Sequence, residues 1–229
     1  MDQADRAVIA FVREGLRTAG DPDRAVSQQA YMKSEMPYAG VTVPLLRKLV
    51  RGAPRVASAS SWRDTVLALW REATMREERY AAQELMGMPA YRGYSRSLDA
   101  LPIYEEVIVD GAWWDFVDTA AVHGLGPLVL DHPVVVKPLM RAWSTDADRW
   151  RRRSSVICQV GAGAALDTAL LADCIVANLG DRDFFLRKAI GWALRQHARA
   201  DPSWVRAFAD AQPLSPLSRR EALRHLGGA

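Results

Sequence analysis

Residues 183–199 read DFFLRKAIGWALRQHAR, and the apolar side chains of this stretch recur at steps of three and four. A helix drawn through it has one apolar face, which is made by Leu186, Ala189, Ile190 and Ala193. The same spacing runs through most of the chain, whereas sustained alternation of period two is almost absent. The sequence therefore predicts an all-α protein.

Proline and glycine divide the chain into short helical segments, because both residues interrupt or end a helix. Such segments in succession are typical of a helical repeat stack, which buries each helix pair against its neighbours and curves around a concave face. No ankyrin or tetratricopeptide consensus occurs, so we predict a HEAT-like helical repeat superhelix, an α-solenoid with a concave basic groove. We expect residues 1–229 to form a single domain. The predicted breaks are Gly20-Asp21-Pro22, Met36-Pro37, Gly52-Ala53-Pro54, Gly87-Met88-Pro89, Leu101-Pro102, His132-Pro133, Gly180-Asp181, Asp201-Pro202 and Gln212-Pro213.

The composition is that of a soluble globular protein. The 229 residues carry a formal net charge of +3, and the sequence pI is about 9.0. These values are compatible with nucleic-acid binding, which then depends on where the arginines lie. No apolar run is long enough to span a bilayer and no signal pattern opens the sequence, so we expect a cytoplasmic protein.

Neither the cysteines nor the histidines are spaced for a metal. Cys158 and Cys174 stand in apolar helical contexts, so we predict that both are small buried side chains. The histidines are scattered without an HExxH pair, and no glycine-rich phosphate loop follows a strand. We expect neither a metal nor a nucleotide cofactor, and we expect His197 to be a hydrogen-bonded structural residue.

Residues 111–118, GAWWDFVD, set two indoles and two carboxylates side by side in a predicted helix. Residues four apart share a helix face, so Trp114 and Asp118 should project together. A core needs no carboxylate beside an indole and a solvated surface has little use for an indole, so these two residues are candidates for a ligand site. The remaining residues form a separate apolar stripe, namely Trp113, Phe116, Val117 and Ala120.

A second face of the helix predicted at 183–199 carries basic side chains on both sides of an indole. Trp192 shares this face with Lys188, Arg195, Gln196 and Arg199. An aromatic ring among cations is typical of a nucleic-acid surface. Arginine stems that cover a partly buried tryptophan would give the same pattern, so both interpretations stay open.

The stretch 149–153, RWRRR, is a second basic cluster, and its four arginines cannot all point one way. Either the cluster contacts phosphate or it forms a solvated face. We expect Arg153, which lies beside Ser154, to be the arginine that turns inward.

Basic candidates also occur in the first third of the chain. Tyr31 and Lys33 stand in a Tyr-Met-Lys segment, and Pro44 suits the first turn of a helix that carries Arg47 and Lys48. These bases either hold a phosphate or are solvated residues at the start of a helix.

Near the end of the sequence, Ser218 and Glu221 fit a capping box, with Ser218 as the N-cap. This places Arg219 and Arg220 at a helix N-terminus. Free amides and two guanidinium groups at that position would suit a backbone phosphate.

Together these segments resemble the AlkD family of DNA alkylation repair glycosylases over nearly the whole chain. The double-tryptophan motif and the Ala-Ile-Gly-Trp motif are specific as a pair. Members of the family are HEAT-like superhelices that wrap duplex DNA and release N3- and N7-alkylated purines that carry a positive charge. The matching segments are residues 31–33, 40–47, 113–118, the cluster around Arg153, 188–195 and 216–222.

The resemblance implies that Asp118 is the catalytic carboxylate and that Trp114 and Trp192 are aromatic walls of the active site. It also implies that Arg153 contacts the DNA backbone beside the lesion and that Tyr31 contacts the duplex. The other residues that we expect to bind DNA are Lys33, Arg47, Lys188, Arg195, Arg219 and Arg220.

The sequence thus predicts a monofunctional alkylpurine DNA glycosylase that acts on duplex DNA as a monomer and without a cofactor. Its substrates would be of the 3-methyladenine and 7-methylguanine type. Electrostatic and aromatic stabilisation of the cationic sugar, with a carboxylate that positions water, would drive the reaction. The alternative is a non-catalytic HEAT-like scaffold that binds DNA or protein and in which the Trp-Asp motif is architectural.

Overall fold

The computed structural model describes residues 3–226, and the regular elements in this part of the chain are all helical, as predicted. Backbone contacts group the chain into two compact units, Met1–Ile103 and Tyr104–Ala229. The expectation of a single domain stays a prediction. None of the described helices combines the length and the apolarity needed to cross a bilayer.

Among the described residues, the first unit contains six α-helices and the start of a seventh. In this unit α1 packs against α3, α4 and α5, and α4 packs against α5, so most contacts join elements that are close in sequence, as in helical repeats. Its core includes Leu46, Trp62, Leu69 and Trp70, which are all fully buried. The helices are α1 (Arg6–Ala19), α2 (Pro22–Met32), α3 (Val43–Arg51), α4 (Ala59–Arg71), α5 (Arg76–Gly87), α6 (Arg92–Ser95) and α7 (Leu101–Gly111).

Aspartate side chains begin the first two helices. Asp5 accepts hydrogen bonds from the amides of Ala7 and Val8, and Asp21 accepts one from the amide of Arg24. These caps satisfy amides that the first helical turn leaves without partners. All nine breaks predicted from proline and glycine lie at helix ends or between helices.

A buried carboxylate holds the segment that leads into α3. Gly40 has a φ of +82°, and a Cβ at this position would lie 2.0 Å from the carbonyl oxygen of Asp21. Glu77 on α5 is 1% exposed and accepts hydrogen bonds from the amides of Ala39, Gly40 and Val41 at 2.9, 2.8 and 3.1 Å. Three amide donors compensate for the burial of the charge, so this segment is fixed directly before α3.

We predict that Glu77→Ala lowers the free energy of unfolding by about 3 kcal/mol, because it leaves three amides without their acceptor. Glu14→Ala is the matched control, since Glu14 forms an exposed pair with Arg17 on the same helix and such pairs contribute little. Urea unfolding followed by circular dichroism measures both variants. Equal losses of stability would contradict the structural role assigned to Glu77.

In the part of the chain that the structure describes, the second unit contains the rest of α7 and eight further α-helices. Here α10 packs against α11 and α12, whereas α13 packs against α11, α14 and α15. The helices are α8 (Trp114–Thr119), α9 (Gly126–Asp131), α10 (Pro133–Trp143), α11 (Arg149–Ile157), α12 (Thr168–Val176), α13 (Phe184–His197), α14 (Pro202–Ala211) and α15 (Pro216–Ala222).

A π-helical turn, Ala120–Leu125, joins α8 to α9, and no sequence pattern predicted it. A Cβ on Gly124 would lie 2.3 Å from the ring of Tyr104, and one on Gly126 would lie 2.5 Å from the carbonyl oxygen of Cys158. The two glycines therefore allow this turn to pack closely against α7 and the end of α11. Such turns often occur beside functional sites, and this one directly follows α8.

The cysteine prediction is confirmed, because Cys158 and Cys174 are buried free thiols. Burial raises the pKa of Cys174 to about 11 and raises the pKa of Cys158 further, so both thiols are unreactive packing groups.

His197 is also buried, and its ring lies edge-on to that of Trp204. Both ring nitrogens lack a hydrogen-bond partner among residues 3–226, so the predicted hydrogen bond is wrong. Burial lowers the pKa of His197 and favours the neutral ring.

Candidate active site

Trp114 begins α8, and Asp118 lies four residues further on the same face of this helix. Ala112 has a φ of 42°, in the left-handed region, so the chain turns sharply before the helix begins. Phe116 is buried, as predicted from the apolar stripe. Trp113 precedes the helix in extended conformation as its N-cap, so the prediction that it belongs to this helical stripe is wrong.

Arg153 on α11 binds Asp118 through both sides of its guanidinium group. Its Nε donates to Oδ1 and its Nη2 donates to Oδ2, each at 2.7 Å. Its Nη1 donates to the carbonyl oxygen of Phe185 in the first turn of α13. The side chain of Arg153 is 7% exposed and that of Asp118 is 18% exposed, so Arg153 turns inward as predicted. This one side chain joins α8, α11 and α13.

The environment of Asp118 opposes its charge. Burial raises the pKa of Asp118 above its usual value, and the nearby carboxylate of Asp115 raises it further. The guanidinium group of Arg153 acts in the opposite direction and lowers this pKa. A carboxylate that is poorly solvated and held in one orientation is typical of a catalytic group.

An aromatic cluster supports the same three helices. The ring centroid of Phe185 lies 5.7 Å from that of Trp113 and 5.1 Å from that of Trp150. Phe185 thus packs against the residue that precedes α8 and against a residue of α11, while its carbonyl oxygen binds Arg153. The cluster fixes the start of α13 beside the Asp118–Arg153 pair.

Trp114 and Trp192 differ from the other tryptophans of the chain. Both are half-buried, and among residues 3–226 neither ring contacts another aromatic ring or a guanidinium group. Trp192 lies on α13, about two helical turns beyond Phe185. The indoles that do make such contacts are Trp62, Trp70, Trp113, Trp143, Trp150 and Trp204.

The other arginines of α11 bind carboxylates of the protein. This arrangement favours a structural role for these three side chains over the open alternative of phosphate contact. The nearest pairs are Arg149 with Asp183 at 3.4 Å, Arg151 with Glu105 at 2.6 Å and Arg152 with Asp181 at 3.1 Å.

Lys188 and Arg195 flank Trp192 on α13, and both bind Glu221 on α15. The predicted capping box is therefore wrong. Ser215 is the N-cap of α15, and Ser218 instead donates a hydrogen bond to the carbonyl oxygen of Arg187. The pattern was ambiguous because a second serine stands three residues before Ser218, directly ahead of the proline that begins the helix.

Arg219 and Arg220 lie in the last turn of α15, so the prediction that they stand at a helix N-terminus is also wrong. Arg219 binds the carboxylate of Asp210 at 2.6 Å and the carbonyl oxygen of Ala209. Arg220 is exposed. Of these two candidates, Arg220 is therefore the one better placed for an incoming phosphate.

The first unit carries the remaining candidates. Tyr31 is 77% exposed, and Lys33 is exposed at the end of α2 with a φ of 51°. Pro44 lies in the first turn of α3, as predicted, and Arg47 on this helix binds Glu84 at 2.8 Å. These residues all belong to the first unit, whereas Asp118 and Arg153 belong to the second.

Sequence patterns missed Phe185 and Glu221 as members of the site. Phe185 acts partly through its backbone carbonyl, and because every residue has one, the sequence does not indicate this role. Glu221 matched a local capping pattern, but its partner Arg195 lies 26 residues away in the chain. A local pattern gives no information about such a contact.

A family model described as DNA alkylation repair enzyme matches residues 12–226. The chain belongs to this family. Among solved structures it is similar to a predicted DNA alkylation repair enzyme from Enterococcus faecalis, with a TM-score of 0.78 and 27% identity, over 92% of this chain and 98% of that chain. A search of the curated proteins finds no match.

The chain is also similar in fold to the Pseudomonas fluorescens alkylpurine DNA glycosylase AlkC, whose structure contains DNA with an abasic-site analog. The TM-score is 0.52 and the identity is 13%, over 96% of this chain and 62% of that chain. The predicted HEAT-like helical repeat class is confirmed.

We predict that the two partners of the Arg153–Asp118 pair affect stability differently. Arg153→Met leaves a buried carboxylate without its cation and should lower the free energy of unfolding by about 3 kcal/mol at neutral pH. Asp118→Asn keeps one acceptor oxygen for Arg153, replaces the second oxygen with an amide donor, and removes a charge whose burial is unfavourable. It should therefore lose less stability than Arg153→Met.

The pH dependence of stability tests whether the folded state raises or lowers the pKa of Asp118. Because the folded state raises the pKa of Asp118, the folded protein binds this proton more tightly than the unfolded chain. The stabilisation from this bound proton is fully present below the pKa of the unfolded chain, about 3.9. It is lost as the pH rises through the pKa of Asp118 in the folded protein. The stability of Asp118→Asn relative to wild type should therefore increase between about pH 4 and pH 7 in urea unfolding. A relative stability that decreases over this range would contradict the burial of Asp118 as the dominant effect.

Proposed function

We propose that this protein is a monofunctional DNA glycosylase of the AlkD branch, which releases positively charged N3- and N7-alkylated purines from duplex DNA. One observation carries the proposal. The carboxylate of Asp118 is largely buried and held by two hydrogen bonds from Arg153, one helical turn from the half-buried indole of Trp114. Membership of the DNA alkylation repair enzyme family supports the same conclusion.

The proposed reaction needs no general acid. The alkylated purine is already cationic and leaves with the electrons of the glycosidic bond, while positive charge develops on the deoxyribose. Asp118 stabilises this charge and orients a water, which attacks the sugar carbon and transfers a proton to this carboxylate. A carboxylate accepts about four hydrogen bonds, and Arg153 uses two, so each oxygen of Asp118 keeps a site for water or sugar.

The magnitudes favour a cationic substrate. A carboxylate at 4 Å from a positive charge contributes about 4 kcal/mol at an effective dielectric constant near 20. Two indole faces, those of Trp114 and Trp192, add roughly 0.5–2 kcal/mol each. The sum, about 5–8 kcal/mol before Arg153 offsets part of it, corresponds to roughly four to six powers of ten in rate. This is sufficient for a labile cationic adduct but small for a neutral base, which needs protonation of the leaving group.

Binding to the duplex would use exposed basic side chains of each unit. Tyr31, Lys33 and Arg47 would contact DNA from the first unit, and Arg220 would do so from the second. Arg153, Lys188, Arg195 and Arg219 would contribute only the donors that their carboxylate partners leave unused, because a guanidinium group has five donors and an ammonium group three. We infer a cytoplasmic monomer that acts without a cofactor.

A second candidate function is a non-catalytic scaffold that binds DNA or protein. It is favoured by the number of arginines in the second unit that bind carboxylates, since such pairs also serve architecture alone. The two candidates differ in what they require of Asp118, because a scaffold needs its shape and an enzyme needs its charge.

We predict that the purified wild-type protein releases 7-methylguanine from a methylated duplex and that Asp118→Asn lowers the single-turnover rate by about a thousandfold. DNA affinity should stay within about twofold, because Asp118 faces Arg153 and not phosphate. Chromatography of the released base measures the rate. Asp115→Asn on the same helix is the matched control and should retain release.

Absence of release by the wild type would exclude the enzyme and leave the scaffold. Release that persists in Asp118→Asn would exclude Asp118 as the carboxylate that drives the reaction.

A further inference from the structure

Glu221 on α15 forms an ion cluster with Lys188 and Arg195 on α13, and neither Asp118 nor Arg153 belongs to this cluster. Its Oε1 lies 3.1 Å from Nζ of Lys188, and its Oε2 accepts a hydrogen bond from Nη1 of Arg195. The side chain of Glu221 is only 14% exposed. The hydrogen bond with Lys188, followed by that with Arg195, holds the pKa of Glu221 below its usual range, so the carboxylate is charged at neutral pH.

The two cations of this cluster flank Trp192. Lys188 lies four residues before the indole and Arg195 three residues after it, so the three side chains project from one face of α13. The neighbouring residue, Gly191, allows α15 to approach closely. A Cβ on Gly191 would lie 2.5 Å from Cβ of Glu221, so the carboxylate is positioned directly over the turn that carries Trp192.

We propose that Glu221 is a positioning residue for the face of α13 that carries Trp192. Its carboxylate holds Lys188 and Arg195 beside the indole and limits their contact with DNA phosphates to the donors it leaves unused. With Glu221 the cluster carries one net positive charge, and without it two. The electrostatic repulsion between the cluster and a positively charged purine increases with the net charge of the cluster. The carboxylate of Glu221 therefore lowers this repulsion. The inference rests on the proposed function, because it assumes that the cationic base lies against Trp192.

The test compares Glu221→Gln with the wild type in two measurements. Single-turnover release of 7-methylguanine should fall about tenfold, because an additional positive charge faces the base. Affinity for unmodified duplex should rise, and the slope of log K against log salt should steepen by about one unit, because a released cation reaches phosphate. Glu221→Asp, which keeps the charge, should retain the wild-type slope. A variant that merely folds poorly would lose both release and affinity, and that outcome would overturn the proposal.

Asp173→Asn is the matched control, since it removes a carboxylate from an arginine pair with Arg141 and changes the net charge equally. It should leave release and salt slope unchanged, and equal effects of the two variants would overturn the proposal in favour of net charge alone. Failure of the wild type to release base would refute the proposed function. The salt slope of Glu221→Gln would then still decide whether Glu221 withholds the two cations, and an unchanged slope would overturn that inference.

Discussion

The two hydrogen bonds between Arg153 and Asp118 join α8 to α11, and a third bond from the same guanidinium group joins both to the start of α13. Trp114 lies on the first of these helices and Trp192 on the last, so the orientation of both proposed aromatic walls depends on one arginine. Burial of Asp118 is unfavourable for its charge, and Arg153 compensates for part of that cost. A destabilising charge that is retained in this way is typical of a site where function and stability compete.

Carboxylates bind most of the arginines and lysines that the sequence assigned to DNA. In the second unit Arg153, Lys188, Arg195 and Arg219 all have acidic partners. The charge available to phosphate is therefore lower than a count of basic residues suggests. Under the proposed function, the two cations beside Trp192 are offset by Glu221, whereas the exposed side chains of Lys33 and Arg220 remain available to phosphate.

The all-α class, the helix breaks and the apolar face of α13 were predictable, because each depends on residues within a few turns of one another. The pairing of Arg153 with Asp118 was not, since 35 residues separate them and three other arginines of the same cluster offered the same charge. The π-helical turn at Ala120–Leu125 depends on close packing at Gly124 and Gly126, which the sequence does not display. The capping box at Ser218 failed for a local reason, because Ser215 before Pro216 is the better cap.

The central claim is that Asp118 acts as an ionised carboxylate held by Arg153, and the pH dependence of base release tests it most directly. The measurement is the single-turnover rate on a duplex with one N7-methylguanine, at saturating protein and after subtraction of spontaneous release. The account predicts that the wild-type rate falls on the acid side with an apparent pKa above about 3.9, and that Asp118→Asn lacks this limb. A wild-type rate that stays constant throughout the acid range in which the protein remains folded would contradict it.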